Sequence, residues 1–131
     1  MSSGPRTLAH GIDMVEVARI RAMLERHAER FLERVFTKDE AAYAADHQRR
    51  PEHLAARFAA KEAVLKALGT GWSNGVAWTE IEVCREPSGR PTLRLTGRAA
   101  SLAQDRGISE WLISITHTEQ LACASVIALG E

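Results

Sequence analysis

The chain has 131 residues, and 17 basic side chains balance 17 acidic ones, which gives a formal net charge of zero. Hydrophobic residues make up 45% of the sequence, as in an ordinary globular domain with a core. Zero net charge excludes a global field toward nucleic acid or an anionic membrane, so electrostatic recognition must be local. No apolar run approaches the roughly 20 residues of a bilayer span, so we expect neither a nucleic-acid nor a membrane partner.

The start of the chain and the cysteines are both typical of a cytoplasmic protein. Residues 1–6 lack the apolar segment of a signal peptide, and we expect a loose tail followed by a single domain, residues 7–131. Cys84 and Cys123 have no metal-ligand spacing. They are therefore interpreted as reduced core thiols rather than a disulfide.

The first predicted element is a short strand from Thr7 to Asp13. Gly11 weakens this strand, and its missing side chain allows another backbone to approach closely. Asp13 is expected at the strand end, ahead of a helix. That position suits a metal ligand and equally suits a helix cap, and the local sequence leaves both open.

A charged amphipathic helix is predicted from Val17 to Val35. One of its rows is basic with a single apolar member, within roughly 80° of arc if the helix is continuous: Arg19, Met23, Arg26, Arg30 and Arg34. Most such rows are simply solvated, but the segregation of sign indicates a docking surface for an acidic partner. A break near residues 27–29 would turn the last two arginines relative to the first.

The next signals mark two helix starts. Thr37-Lys-Asp-Glu40 has capping-box spacing and predicts a helix through Ala41–Asp46. A basic loop follows, with Pro51 at the start of the next helix. Arg49 and Arg50 in this loop are expected to be exposed, unless an anion lies near that helix.

The long helix after Pro51 ends on the glycine-rich turn Gly69-Thr70-Gly71. An apolar stripe runs along it: Leu54, Phe58, Leu65 and Leu68. Lys61 falls inside this stripe, Glu62 on its edge and Lys66 just beyond. One carboxylate and two ammonium groups beside an apolar seam suggest a site for a metal and phosphates.

A plainer interpretation fits the same residues. Glu62 and Lys66 have the spacing of a solvated salt bridge worth roughly 0.2–0.5 kcal/mol. Lys61 could bury its stem and extend its ammonium to water. Spacing alone favours this interpretation.

The remaining elements are strands and one helix. They are a strand at Ala77–Arg85, a turn at Pro87–Arg90, a strand at Pro91–Leu95, a helix at Arg98–Asp105, and strands at Trp111–Thr118 and Leu121–Leu129. The last strand is apolar enough to be central. Strands and helices do not alternate, so we predict an α+β fold: strand, three helices, hairpin, helix and hairpin around an antiparallel-rich sheet.

Three segments resemble the signatures of the holo-acyl-carrier-protein synthases, the small trimeric group of 4′-phosphopantetheinyl transferases. They are Gly11-Ile-Asp-Met-Val-Glu16, Arg57 to Gly71, and Ser114-Ile-Thr-His-Thr118. The resemblance spans about residues 8–129. It implies transfer of 4′-phosphopantetheine from coenzyme A to a serine of apo-acyl carrier protein, which leaves adenosine 3′,5′-bisphosphate and serves fatty acid biosynthesis.

The resemblance also implies catalytic roles. Asp13 and Glu62 would hold Mg²⁺, which accepts a few carboxylate oxygens beside phosphate and water. Lys66 would offset charge on the phosphates. Lys61 would bind phosphate or orient the site. The serine proton would go to Glu62 through a metal-bound water, or to Asp13, and the sequence does not separate the two.

Further implied contacts concern the coenzyme and the carrier. The 3′-phosphate is assigned to Arg49, Arg50 and Arg57, since guanidinium geometry suits phosphate. The backbone of Gly69, Thr70 and Gly71 would approach the nucleotide. His117 and Thr118 would meet the coenzyme from a neighbouring subunit of a homotrimer. The basic row on the first helix resembles the docking helix for the acidic carrier protein.

Two departures from the family pattern and two other function classes remain. His10 stands where apolar residues are common, and Trp72 follows the glycine turn, beside the expected nucleotide pocket. The chain could instead be a catalytically silent carrier-binding module. It could also be another magnesium-dependent, nucleotide-binding enzyme on a similar fold.

Overall fold

In the computed structural model, which describes residues 4–71 and 75–131, a long helix packs against a three-stranded antiparallel sheet. The elements in chain order are β1 (Arg6–Glu16), α1 (Val17–Val35), α2 (Lys38–Ala45), α3 (Arg50–Leu68), a 3₁₀ turn (Trp78–Glu80), β2 (Ile81–Arg85), β3 (Pro91–Leu95), α4 (Gly97–Asp105), β4 (Ile108–His117) and β5 (Leu121–Gly130). None of the helices in the described ranges is long and apolar enough to cross a membrane.

The strands form two antiparallel sheets. The larger has the order β1-β5-β4, so β5 is central, as the sequence predicts. The hairpin β2-β3 forms a sheet of its own, which the sequence analysis did not separate from the larger one. The α+β class and the order of elements are confirmed.

Helix α3 is buried on nearly all sides. From Leu54 to Leu65, every residue except Glu62 is buried. The helix has the sheet on one side and α1, α2 and β2 on others, and it contributes to both halves of the core. The predicted stripe residues Leu54, Phe58, Leu65 and Leu68 are all buried, but burial is not confined to a narrow stripe, because small alanines let neighbours approach around most of the helix.

Gly11 is where α3 comes closest to β1. A Cβ atom at Gly11 would lie 2.0 Å from the carbonyl oxygen of Ala63. Only hydrogen fits there, so the close backbone approach expected at this glycine is confirmed. The contact places the α3-facing side chains of β1 directly beside the second half of the helix.

Several element boundaries differ from the prediction. β1 begins at Arg6, inside the expected tail, and continues to Glu16, three residues past Asp13. Asp13 is therefore within the strand, and the helix-cap alternative is wrong because Glu16 is the N-cap of α1. β2 begins at Ile81 rather than Ala77, because the backbone first forms the 3₁₀ turn.

The local capping signals are confirmed. Thr37 and Glu40 form a reciprocal capping box at the start of α2. Pro51 lies in the first turn of α3. At the other end of α3, Gly69 has a φ of 73° and donates its amide to the carbonyls of Leu65 and Lys66.

A buried ion pair joins α3 to α2 and the second sheet. Lys61 Nζ lies 2.7 Å from Glu40 Oε1, and both side chains are fully buried. Lys61 also donates to the carbonyls of Trp78 and Ile81, while Glu40 accepts the amide of Val83 at 2.9 Å. Burial lowers the pKa of Lys61, and the Glu40 carboxylate acts against this shift.

We predict that Lys61→Met destabilises the fold by about 3–5 kcal/mol, because it leaves the Glu40 carboxylate buried without its counterion. Lys66→Met is the matched control: Lys66 is 56% exposed, so the loss of its ion pair should cost less than about 1 kcal/mol. Urea unfolding at equal protein concentrations measures both. Equal free energies of unfolding for the two variants would contradict a structural role for the buried pair.

Candidate active site

Asp13, Glu62 and Lys66 come together where α3 crosses β1. Asp13 lies two residues after Gly11 and therefore points to the same face of β1, toward α3. Lys66 Nζ donates to Asp13 Oδ1 at 2.9 Å and to the carbonyl of Ile12 at 3.0 Å. Glu62 is half-buried one turn earlier on α3. The hydrogen bond and charge of Asp13, with a smaller contribution from Glu62, raise the pKa of Lys66.

The carboxylates of Asp13 and Glu62 fit a hard divalent cation that takes most of its ligands from water and substrate. No cluster of three or more His, Cys, Asp or Glu side chains able to hold a metal occurs in residues 4–71 and 75–131. Mg²⁺ is nevertheless commonly held by only one or two carboxylates when phosphates and water supply the other ligands. Lys66, which is 56% exposed, contacts one oxygen of the Asp13 carboxylate, and that carboxylate would be one of the two that hold a cation.

Lys61 lies outside this group. Lys61 is on the same helix, but its side chain points into the core, where Glu40 and two backbone carbonyls enclose its ammonium group. Burial against Glu40 leaves the Lys61 ammonium out of reach of a phosphate, so of the two roles expected for it direct phosphate binding is wrong, and orienting the site stays a prediction. The expectation that it extends its ammonium to water is wrong for the same reason.

A second group of polar side chains, here called the basic pocket, lies at the other end of α3. Its rings and guanidinium groups form a chain of contacts: Tyr43–His47 at 4.5 Å, His47–His53 at 4.4 Å, His53–His117 at 5.3 Å, and Arg57 and Arg85 over the Tyr43 ring at 4.3 and 5.3 Å. Arg50, in the first turn of α3, is nearby in sequence. Four of its buried nitrogen atoms have no hydrogen-bond partner in the described part of the chain: Arg50 Nε, His53 Nδ1, Arg57 Nε and His117 Nδ1.

The basic pocket is electrostatically unfavourable as it stands. Burial lowers the pKa of His53 to about 4, and the neighbouring His47, Arg57, His117 and Arg85 act in the same direction. Burial also lowers the pKa of Arg57, which is 2% exposed. Such a cluster is stabilised by a negative charge that accepts hydrogen bonds from it.

The other predicted coenzyme contacts lie in turns. Arg49 is the exposed N-cap of α3 and makes no side-chain cap bond. Gly69 and Gly71 both have positive φ, 73° and 57°, which explains glycine at each position without a ligand. Thr118 Oγ1 accepts the amides of Gln120 and Leu121 in the β4-β5 turn. Ligand roles for these residues, including Thr70, stay predictions, and Trp72 is outside the described residues.

The basic row on α1 is divided by a kink. His27 has non-helical dihedrals, φ −145° and ψ 44°, so of the two alternatives left open by the sequence the break near residues 27–29 is confirmed. A groove of about 720 Å³ borders the helix, and its lining includes Arg19, Met23, Arg30 and Arg34 together with Phe31, Phe58 and Trp78. Arg26 is not among the described residues that line it. Arg19 caps the Phe58 ring at 5.2 Å, and Phe58 stacks on Trp78 at 4.8 Å.

The face of the larger sheet opposite α3 carries exposed apolar side chains. Adjacent strands contribute aligned residues to it, because β1 and β4 pair with β5 on either side. Its large apolar members are Ile12, Met14, Leu112, Leu121 and Ile127, with exposures from 36% to 63%. We call this surface the open sheet face. His10 lies on it, paired with Ile127.

Sequence reasoning missed four residues of the basic pocket: Tyr43, His47, His53 and Arg85. One signal was available, since His53 and Arg57 are four residues apart and so share a face of α3. Tyr43 and Arg85 come from α2 and β2, and no spacing in the sequence links them to that face.

Comparison with known proteins gives a consistent family. The model of the 4′-phosphopantetheinyl transferase superfamily matches residues 9–124. A holo-[acyl-carrier-protein] synthase of Koribacter versatilis is 50% identical over 120 residues, which cover 92% of this chain and 96% of that protein.

Solved structures agree with this match. The holo-[acyl-carrier-protein] synthase of Neisseria meningitidis has a TM-score of 0.84 at 31% identity, over 94% of this chain and 98% of that one. The Helicobacter pylori enzyme, solved in complex with coenzyme A, has a TM-score of 0.80 at 29% identity, over 91% and 98%. With a family match across most of its length, a carboxylate pair beside a lysine and relatives that agree in sequence and fold, the chain belongs to the 4′-phosphopantetheinyl transferase superfamily.

Proposed function

We propose that this protein is a holo-acyl-carrier-protein synthase, which transfers 4′-phosphopantetheine from coenzyme A to a serine hydroxyl of apo-acyl carrier protein. The products are holo-acyl carrier protein and adenosine 3′,5′-bisphosphate. The observation that carries the proposal is the meeting of Asp13 and Lys66 across the α3–β1 contact, with Glu62 one turn away. We assign residues 7–131 to one such domain, acting in the cytoplasm in fatty acid biosynthesis.

The chemistry is displacement at the phosphorus of a pyrophosphate, which needs charge neutralisation, in-line placement and a proton acceptor. Asp13 and Glu62 would hold Mg²⁺, which when bound supplies a Lewis acid and a template for the phosphates. Lys66 would move from Asp13 to a phosphate oxygen, where its ammonium donates a hydrogen bond and offsets negative charge. The carboxylate pair also provides the acceptor for the serine proton.

The basic pocket fits the 3′-phosphate of coenzyme A, with Arg50, Arg57 and His117 as donors and Arg49 at its rim. His53 and Glu62 are nine residues apart on α3, as are Arg57 and Lys66. That spacing puts each pair on opposite faces and about 13 Å apart along the axis. The 3′- and 5′-phosphates of coenzyme A share one ribose ring, so one molecule does not reach both groups of a single chain.

We therefore place the active site between two subunits, one supplying Asp13, Glu62 and Lys66 and the next supplying the basic pocket. The open sheet face provides the surface through which copies associate. Its exposed apolar side chains are typical of an interface rather than of a surface left in water. In a closed ring of three copies every active site is complete, because each chain contributes one half to each of two different sites.

The groove beside α1 is the proposed docking surface for the carrier protein. Arg19, Arg30 and Arg34 give its lining positive charge, which outweighs the acidic Glu33, and Phe31, Phe58 and Trp78 give it apolar surface. An acidic helix with one or two apolar side chains has the complementary chemistry. Local charge of this kind explains how an electrically neutral chain recognises an acidic partner.

We predict that incubation with coenzyme A, Mg²⁺ and apo-carrier protein adds the phosphopantetheine mass to the carrier, as read by intact mass spectrometry. Glu62→Gln should slow the reaction about a hundredfold or more, because it removes a charged ligand from the reacting centre. Glu86→Gln, in the exposed β2-β3 turn, is the control and should react at the wild-type rate.

No addition to any of several carrier proteins would exclude the transferase. Carrier binding without addition would instead favour a silent docking module, and turnover of a nucleotide without carrier would favour a different enzyme.

We predict that Arg30→Glu raises the KM for carrier protein about tenfold at low salt, because it replaces a positive charge in the groove lining with a second negative one beside Glu33. Arg26→Glu makes the same change in net charge on the same helix but outside that lining, so its effect should be clearly smaller. Steady-state kinetics at two salt concentrations measures both, and the difference should shrink at high salt. Equal effects of the two substitutions would remove the groove from carrier recognition.

A further inference from the structure

The basic pocket contains more titratable side chains than phosphate binding requires. Two histidines from α3 and β4 stand edge to face, and a third, His47, lies against His53 with ring centroids 4.4 Å apart. Arginines bind phosphate at any physiological pH, whereas histidines do so as cations only when protonated. The basic pocket therefore contains groups that can gain a proton as well as arginines that are always charged.

His53 is the most constrained of these histidines. Its ring is in contact with Tyr43, His47 and His117, and its Nδ1 is buried without a hydrogen-bond partner in the described part of the chain. The charged and titratable groups that face it are Arg57 from the same helix, Arg85 from β2, His117 from β4 and His47 from the segment between α2 and α3. The nearby acidic side chain, Glu40, acts on Arg57 but is held by Lys61.

We propose that His53 takes up a proton when a phosphate monoester binds in the basic pocket, so that recognition of the 3′-phosphate is coupled to protonation. The proposal rests on the proposed function for the identity of the ligand. His53 thereby acts as a specificity-determining residue: it forms a cationic donor for a ligand that carries the 3′-phosphate and stays neutral for one that lacks it.

The sign of the coupling follows from the surroundings. Without an anion, burial and four neighbouring cationic or titratable groups hold the pKa of His53 near 4, so the ring is neutral at pH 7. A dianionic phosphate reverses the local field and raises that pKa, and the ring then binds a proton from solvent. Affinity must fall as pH rises through the ligand-bound pKa, and it becomes independent of this group below about pH 4.

The four nitrogen atoms without a hydrogen-bond partner are the groups that we expect to donate to the ligand. Arg50 Nε, Arg57 Nε and His117 Nδ1 accompany His53 Nδ1, and each is covered in this conformation. The side chains must turn outward to donate to phosphate oxygens. The start of α3, whose N-cap Arg49 makes no side-chain cap bond, adds backbone amides at the same end.

Titration calorimetry tests the coupling. Adenosine 3′,5′-bisphosphate and adenosine 5′-monophosphate are titrated into the wild type at pH 7 in buffers of different ionisation enthalpy, which gives the number of protons exchanged. The bisphosphate should take up about half to one proton more than the monophosphate. Its Kd should weaken with rising pH, by at most about tenfold per pH unit.

Two single-residue variants identify the side chain that takes up the proton. His53→Phe keeps the ring packing but removes titration, and it should abolish the extra uptake while still binding the bisphosphate. The phosphate's own ionisation, with a pKa of about 6, is common to both proteins and cancels in the difference. His47→Phe is the matched control and should retain most of the uptake.

The outcomes are distinguishable. A bisphosphate that binds with equal proton exchange in the wild type and His53→Phe would overturn this inference and leave the proposed function standing. Loss of the uptake in His47→Phe but not in His53→Phe would also overturn it. Failure of both nucleotides to bind at any pH would instead count against the proposed function.

Discussion

The geometry of helix α3 is the constraint on which the functional arrangement depends. A helix advances 1.5 Å and turns 100° per residue, so residues nine positions apart are on opposite faces. The carboxylate and ammonium groups at Glu62 and Lys66 therefore face β1, while His53 and Arg57 face β4 and α2. One helix thus presents two separate groups of polar side chains, and we propose that each is one half of an active site completed by a neighbouring chain.

Close packing makes this arrangement rigid. At Gly11 the backbone of β1 touches that of α3, and on the other side the Lys61–Glu40 pair ties the helix to α2 and the second sheet. The two contacts are one turn or less from Glu62. Lys61, which holds the fold, and Glu62, which is proposed to hold the metal, are consecutive in sequence. Their side chains leave the helix about 100° apart, so Lys61 is buried in the core and Glu62 is only half-buried.

The sequence predicted most of the fold because its signals are local. Capping boxes, prolines and glycines act within a few residues, and Thr37, Pro51 and Gly69 each marked a helix end correctly. The limit of β1 was missed because Met14-Val15-Glu16 is compatible with either strand or helix. The kink at His27 was anticipated as an alternative but had no residue, such as proline, that would have required it.

The candidate site was predictable only where its residues share an element or a family segment. Glu62 and Lys66 are one turn apart, and Asp13 was connected to them by the resemblance alone. The burial of the Lys61 ammonium depends on Glu40, an ion-pair partner on another helix that no periodicity in the sequence reveals. The basic pocket gathers side chains from α2, α3, β2 and β4, so its existence follows from tertiary packing and not from spacing.

The central claim, that each active site is shared between two chains, is tested most directly by mixing two inactive variants. Glu62→Gln removes one half-site and Arg57→Met the other, and circular dichroism with native mass spectrometry verifies that both fold and exchange subunits. The account predicts that the equimolar mixture regains about a quarter of the wild-type transfer rate, the fraction of randomly formed sites with both halves intact. A mixture that forms mixed oligomers yet stays as inactive as either parent would contradict it.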